Sequence, residues 1–111
     1  MIYEDYIRAL LQKQHAVTVL REAESLEESD TRSAAIRTAQ MAVDRRERQL
    51  QAFREDLRNS EDIDDLIYFH SFIKKRKPDA VGKIVGYSRA SVFRHIRRIK
   101  KVKEQIKEGL E

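Results

Sequence analysis

Cysteine is absent from the 111-residue chain, and proline and glycine are scarce, with one and three copies. Without cysteine there can be no disulfide bond and no thiolate ligand or nucleophile, so we expect a reducing compartment, the cytoplasm. No apolar run approaches the roughly 18 residues of a membrane-spanning helix, and we therefore expect a soluble protein with no membrane partner. Charged residues make up 38% of the chain. With so few helix breakers, this composition predicts an all-α protein.

An enzyme site is not apparent in the sequence. His15, His70 and His95 lie far apart along the chain, and none has an acidic partner at metal-ligand spacing. The glycines are too few to form a phosphate-cradling loop. We expect no catalysis, no metal and no cofactor. His70 lies in a segment that is apolar nearly all round, which favours a hydrogen-bonded core histidine.

The charge is distributed unevenly along the chain. Residues 1–61 hold 10 basic and 12 acidic side chains, whereas residues 74–103 hold 12 basic residues and a single acid, Asp79. A solvated helix usually alternates its charges, and the second segment does not. The pattern indicates two parts, a near-neutral scaffold over residues 1–59 and a basic head over residues 60–111.

The scaffold carries two apolar stripes with helical spacing. One comprises Ile36, Ala39, Val43, Leu50, Phe53 and Leu57, with Arg46 in one slot; the other is wider and includes Ile2, Tyr3, Tyr6, Ala9, Leu10, Ala16, Val17, Leu20 and Ala23. Residues 28–32, Glu-Ser-Asp-Thr-Arg, separate them and are rich in N-cap formers. We predict a long antiparallel helical hairpin that turns near position 30. The alternative is one uninterrupted helix in a parallel coiled coil, because no Gly or Pro enforces the turn.

This hairpin would bring Lys13 near Glu47 and Glu24 near Arg37. The stripe of its first helix is wider than one partner helix can cover. Either the basic head or a second copy of the chain must therefore lie against it. We favour a homodimer over closure by the head alone.

The head begins with an acidic turn. Ser60 is the predicted N-cap of the next helix, and Asp62, Asp64 and Asp65 crowd its first turn, where the helix dipole favours anions. Residues 74–77, Lys-Lys-Arg-Lys, end this helix, and Pro78 begins another.

The segment that follows has the pattern of a helix-turn-helix. Gly86 can adopt the positive φ that the turn requires, and Gly82 allows the second helix to approach closely. Ser88 caps that helix. The apolar slots that would seal the two helices are Val81, Val85, Tyr87 and Val92, and the one irregular slot holds His95 with Ile96 beside it. An apolar stripe of Val92, Ile96, Ile99, Val102, Ile106 and Leu110 continues beyond this motif.

Residues 62–103 resemble a helix-turn-helix of the sigma-factor region-four type. More closely, the stretch VGYSRASVFRHIRRI resembles the C-terminal signature of the RinA/ArpU-like regulators, small phage and prophage activators of transcription in Gram-positive bacteria. The likeness covers about 40 residues, and residues 1–60 share only their helical character with the family. It implies non-catalytic, sequence-specific binding of double-stranded DNA, with RNA polymerase as a candidate partner.

A recognition helix over residues 88–101 would enter the major groove, and its early exposed residues would meet base edges. The predicted base-contacting residues are Arg89, Ala90, Phe93 and Arg94, although Phe93 is equally suited to the core. The predicted phosphate-contacting residues are Lys74, Lys75, Arg76, Lys77, Lys83, Ser88, Arg97, Arg98, Lys100 and Lys101.

Together these features predict a sequence-specific DNA-binding transcription regulator of phage or mobile-element type. Two alternatives use the same residues. The first is a small terminase-like DNA-packaging protein, in which long helices build an oligomeric ring. The second is an adaptor whose basic head binds an acidic protein surface, such as one on RNA polymerase.

Overall fold

The computed structural model describes residues 1–110, and this part of the chain is all α-helical, with no strand. The helices are α1 (Ile2–Glu24), α2 (Asp30–Arg58), α3 (Ile63–Tyr68), α4 (Pro78–Val85) and α5 (Arg89–Leu110). One turn of π-helix, Phe69–Ile73, extends α3. The all-α prediction is confirmed. No helix within residues 1–110 is both long enough and apolar enough to cross a membrane.

The first two helices are separate and pack against each other, so the alternative of one uninterrupted helix is wrong. Ser29 caps the N-terminus of α2, because its hydroxyl accepts a hydrogen bond from the Arg32 amide at 3.1 Å. The predicted ion pair between Lys13 and Glu47 is confirmed, and with Arg54 it lowers the pKa of the Glu47 carboxyl. The helix pair thus acquires its register from a polar contact as well as from its apolar stripes.

The second predicted pair of the scaffold, Glu24 with Arg37, does not form. The Arg32 guanidinium instead donates a hydrogen bond to the backbone carbonyl of Glu24 at 3.1 Å. At this end of α1 the carbonyls have no intrahelical partner, and an arginine in the first turn of α2 can reach one of them. The prediction paired side chains and did not consider the helix end.

The core lies where the N-terminal half of α1 meets α3 and α5. Tyr3 and Tyr68 stack with their ring centroids 5.7 Å apart, and Tyr68 stacks on Phe72 at 5.0 Å. The buried residues of this core are Tyr3, Tyr6, Ile7, Ala9, Leu50, Leu57, Ile67, Tyr68, Phe69, Val81, Val92 and Ile99. They come from both sides of the predicted boundary at residues 59 and 60.

The stripe of α5 packs within the same chain. Ile96, Val102 and Ile106 are half-buried against the core, and the Leu110 side chain lies outside the part of the chain that the structure describes. Beyond this contact, α1 and α2 leave an open groove of about 590 Å³. Its lining includes Leu11, His15, Val19, Ala39, Ala42 and Lys107.

The acidic turn before α3 differs from the prediction. Asp62, not Ser60, is the N-cap, and its Oδ1 accepts hydrogen bonds from the amides of Asp64 and Asp65 at 2.9 and 3.1 Å. The Ser60 hydroxyl donates to Asp65 Oδ2 at 3.0 Å. The other oxygen of Asp65 accepts from the Tyr3 amide at 2.9 Å. A buried carboxylate of α3 therefore caps the N-terminus of α1, which has no side-chain cap of its own.

Candidate nucleic-acid interface

The connection between α4 and α5 is as short as the sequence predicted. Gly86 has φ of 76°, a left-handed conformation that glycine adopts without strain. The Tyr87 amide donates to the Gly82 carbonyl at 2.9 Å, which closes the turn. The Ser88 hydroxyl then accepts from the Ser91 amide at 3.2 Å and caps α5.

Position 82 must be a glycine because the backbone passes so close to it. A Cβ atom placed there would lie 2.5 Å from the carbonyl oxygen of Tyr87. The prediction expected α5 itself to approach here, but the closest atom belongs to Tyr87 in the turn, and Val92 of α5 would lie at an ordinary contact distance of 3.7 Å. The two valines that flank this contact, Val81 and Val92, are fully buried, and Val85 is half-buried. α4 thereby fixes the position at which α5 begins.

Tyr87 departs from its predicted role as an apolar seal. It is 42% exposed, and its ring meets the His95 ring edge-on with centroids 5.6 Å apart. An amphipathic phenol can cover a neighbouring ring while its hydroxyl stays in water. Tyr87 thus covers His95 rather than closing the α4–α5 contact.

The predicted base-contacting residues share one exposed face of α5. Arg89, Ala90, Phe93 and Arg94 are all exposed. Phe93 is 39% exposed, so its alternative assignment to the core is wrong. The Arg89 guanidinium lies over the Phe93 ring, 5.4 Å from its centroid, and its Nε is 3.6 Å from an Asp79 carboxylate oxygen. That ion pair is solvent-exposed on both sides and is correspondingly weak.

Arg94 is held at the start of α5 by Ser91, which in turn is held by Ser88. Its Nη2 donates to the Ser91 hydroxyl oxygen at 2.9 Å, and the Ser88 hydroxyl donates to the same oxygen at 3.1 Å. The guanidinium is therefore drawn toward the N-terminal turn of the helix, where a recognition helix meets base edges. Sequence reasoning did not consider Ser91, which a spacing of three residues from both partners could have indicated.

The predicted phosphate-contacting residues are all exposed, but four of them also contact other residues of the chain: Lys74, Arg76, Ser88 and Arg98. Lys74, Lys75, Arg76, Lys77, Lys83, Ser88, Arg97, Arg98, Lys100 and Lys101 all lie at the surface. Within the tract at 74–77, Lys75 has φ of 55°, and the Lys74 ammonium lies 5.6 Å from the Phe69 ring centroid. Arg97 has no ion pair within 4 Å in residues 1–110, whereas Arg98 has one.

Arg98 binds a buried carboxylate that sequence reasoning assigned to the helix dipole. Its Nη2 lies 2.8 and 2.7 Å from the two oxygens of Asp64, a residue only 3% exposed. His95 Nδ1 lies 2.7 Å from Oδ1 of Asp64, one of the two oxygens that Arg98 contacts. The hydrogen bond to Asp64 raises the pKa of Arg98, and burial together with the Asp64 charge raises the pKa of Tyr3 to about 12. The irregular slot at His95 was the only indication of this cluster in the sequence.

His70 is half-buried, whereas the sequence predicted a core histidine. Its Nδ1 lies 2.5 Å from Nη1 of Arg76. In this contact a neutral imidazole accepts a hydrogen bond that the guanidinium donates. Burial, followed by the charges of Arg76 and Lys74, lowers the pKa of His70 below its ordinary value of 6.5. A lowered pKa means that the unfolded chain binds the proton more tightly, so this histidine reduces stability as the pH falls below 6.5.

Removing the charge of Arg76 tests this assignment. Arg76→Ala should raise the pKa of His70 toward its ordinary value, because both the repulsive charge and the hydrogen-bond donor are lost. A pH titration of the His70 ring by NMR measures the change, with Lys77→Ala as the exposed neighbouring control. Equal titration midpoints in the wild type and Arg76→Ala would contradict the assignment.

Comparison with known proteins does not add a relative. No protein-family model, curated protein or solved structure matches the chain. The resemblance to RinA/ArpU-like regulators remains a prediction from residues 62–103. The case for a function rests on the geometry of α4, the turn and α5.

Proposed function

We propose that the chain is a sequence-specific DNA-binding transcription regulator of phage or mobile-element type. In this proposal α4, the turn at Gly86 and α5 form a helix-turn-helix, and α1 and α2 form an antiparallel hairpin that supports it. The observation that carries the proposal is the exposed face of α5, which begins directly after the turn and combines arginines with Ala90 and Phe93. Phe93 is 39% exposed and the Arg89 guanidinium lies over its ring, so an aromatic ring and two arginines share one accessible face.

The dimensions of DNA explain this combination. The major groove admits one α-helix, whose N-terminal residues reach the base edges. Arginine can donate two hydrogen bonds to guanine, and alanine or phenylalanine can contact the methyl group of thymine. Arg89 and Arg94 are five residues apart and thus about 140° apart around the helix, so they cannot read the same base pair. Arg94, which Ser91 holds near the first turn, is the proposed guanine reader.

The surrounding cations supply the second component of binding. The net charge of +11 over residues 74–103 would attract any DNA, whatever its sequence. Because phosphate contacts release counterions, this component weakens steeply with salt. The proposed division is that Arg94 and its exposed neighbours discriminate between sequences, while Arg97, Lys100, Lys101 and the tract at 74–77 hold the backbone.

We also propose that the protein acts as a homodimer. Two copies would place two recognition helices on one duplex, and linked half-sites bind more tightly than one. The open groove between α1 and α2 is consistent with an unfilled contact surface. Sedimentation would measure the mass: a dimer supports the proposal, and a ring of eight or more subunits would favour a packaging protein. The proposal also includes a location in the cytoplasm and direct contact with RNA polymerase.

Arg94→Ala tests the reading role. It should weaken binding to a cognate duplex by about 1–3 kcal/mol, because a bidentate base contact is lost. Its effect on a random-sequence duplex should be much smaller, since only the phosphate component acts there. Fluorescence anisotropy on both duplexes measures the difference, and selection of bound genomic fragments supplies the cognate sequence.

Arg97→Ala is the matched control, because it removes an exposed arginine from the same helix. It should weaken both complexes together. Circular dichroism must show that each variant remains folded. If a folded Arg94→Ala loses equal affinity for the two duplexes, α5 is a non-specific clamp, and the packaging function would then fit better.

A further inference from the structure

One carboxylate holds α5 against α3 at two positions a helical turn apart. Asp64 is 3% exposed, and its oxygens contact Arg98 Nη2 at 2.8 and 2.7 Å and His95 Nδ1 at 2.7 Å. Residues 95 and 98 are neighbours on one face of α5. Two contacts of this kind restrict both the rotation of α5 about its axis and its displacement along that axis.

Arg98 borders the proposed reading face. It lies four residues after Arg94, so the two side chains are neighbours on the helix surface. A rotation of α5 that freed Arg98 would also change the direction in which Arg94 points. The position of the reader is thus coupled to the contact with Asp64.

DNA phosphate and Asp64 would compete for the position of the Arg98 guanidinium, because a side chain whose Nη2 is held by a buried carboxylate cannot also extend fully toward the DNA backbone. If phosphate drew the guanidinium away, the buried Asp64 would keep His95 as its only side-chain partner within residues 1–109. A buried carboxylate that loses a charged partner is strongly disfavoured. A surface phosphate contact gains less, and salt weakens it further. Asp64 should therefore retain Arg98 when DNA binds.

We infer that Asp64 is a positioning residue for sequence recognition, which fixes the orientation of α5 and withholds Arg98 from the DNA backbone. This inference rests on the proposed function. It reverses the role that the sequence predicted for Arg98. It also predicts that loss of Asp64 strengthens the non-specific component of binding while discrimination decreases.

The test is the salt dependence of binding by the full chain to a random-sequence duplex. Each phosphate contact contributes about 0.9 to the slope of log K against log salt. Asp64→Asn should steepen the slope by about that amount, because Arg98 is released. Arg98→Ala should leave the slope unchanged and lower the urea midpoint of unfolding. Arg97→Ala should reduce the slope by about 0.9 and leave the urea midpoint unchanged.

Two controls identify the source of any gained contact. Glu104→Gln changes the net charge as Asp64→Asn does, at an exposed position of α5, and should steepen the slope far less. The double variant of Asp64→Asn with Arg98→Ala should return to the wild-type slope. On the cognate duplex, Asp64→Asn and Arg98→Ala should each reduce the ratio of cognate to random affinity roughly tenfold, because Arg94 is no longer held in place.

The outcomes separate this inference from the function on which it rests. A wild-type chain that binds cognate and random duplexes alike would overturn the proposed function and this role with it. A wild-type chain that discriminates, together with an Asp64→Asn variant of unchanged slope and discrimination, would overturn the inference alone. If Asp64→Asn does not fold, Arg98→Ala decides, since a reduced slope there would make Arg98 a phosphate ligand.

Discussion

Leu50→Asp should remove most of the stability of the protein. Leu50 is 1% exposed in the core between α1 and α2. Truncation of a buried leucine alone costs about 2–5 kcal/mol, and an unpaired carboxylate in the same place adds further to the loss. Since a domain of this size is stable by about 5–15 kcal/mol in total, the variant should be largely or wholly unfolded in water. Urea denaturation followed by circular dichroism measures the change.

Ala52→Asp is the control, because position 52 is exposed on the same helix. It should cost less than about 1 kcal/mol, which is the difference in helix propensity. Phe53→Asp should fall between the two, since Phe53 is half-buried. Equal unfolding midpoints for Leu50→Asp and Ala52→Asp would mean that the α2 stripe does not face a core.

The features that the sequence predicted correctly depend on nearby residues. The α2 stripe follows from a spacing of three and four residues, and it is buried or half-buried at every apolar slot from Ile36 to Leu57. The turn before α5 follows from Gly82, Gly86 and Ser88, whose roles are determined by backbone geometry within a few residues. Periodicity and turn chemistry are local properties, and a single sequence contains them.

The three aspartates before α3 show what a single sequence does not contain. A local rule assigned Asp62, Asp64 and Asp65 to the helix dipole. In the structure Asp62 caps its own helix, Asp64 binds α5 over a separation of 34 residues, and Asp65 caps α1 over a separation of 62 residues. The same residue type has three different partners because the tertiary fold decides which carboxylate meets which helix. Neither charge counting nor periodicity can distinguish them.

The prediction of the candidate site was likewise correct where it depended on one helix and incomplete where it depended on contacts between helices. Exposure of the proposed base-contacting residues follows from their positions on α5, so that part of the candidate interface was predictable. The engagement of Arg98 was not predictable, because its partner lies on another helix. The π-helical turn at 69–73 was also missed, since no residue type specifies the wider hydrogen bond from the Lys74 amide to the Phe69 carbonyl.

Gly82→Ala should displace α5 from α4. A methyl group at position 82 would lie 2.5 Å from the Tyr87 carbonyl oxygen, and because that atom belongs to the backbone, no change of side-chain rotamer relieves the overlap. The same two residues close the turn, because the Tyr87 amide donates a hydrogen bond to the Gly82 carbonyl. Overpacking of this kind costs about 1–3 kcal/mol, and here the turn itself must move, so we expect a loss near the upper end. The thermal midpoint should fall by roughly 10 °C.

The other two glycines of the chain provide graded controls for this prediction. Gly86→Ala meets no atom within 4 Å but must adopt φ of 76°, which costs an L-residue about 1–2 kcal/mol. Gly109→Ala also meets no atom within 4 Å and lies inside α5, where alanine favours the helix, so its midpoint should be equal to or above that of the wild type. We expect the highest thermal midpoint for Gly109→Ala, a lower one for Gly86→Ala and the lowest for Gly82→Ala. A Gly82→Ala variant as stable as Gly109→Ala would show that α4 and the turn before α5 are not in the close contact on which the proposed interface depends.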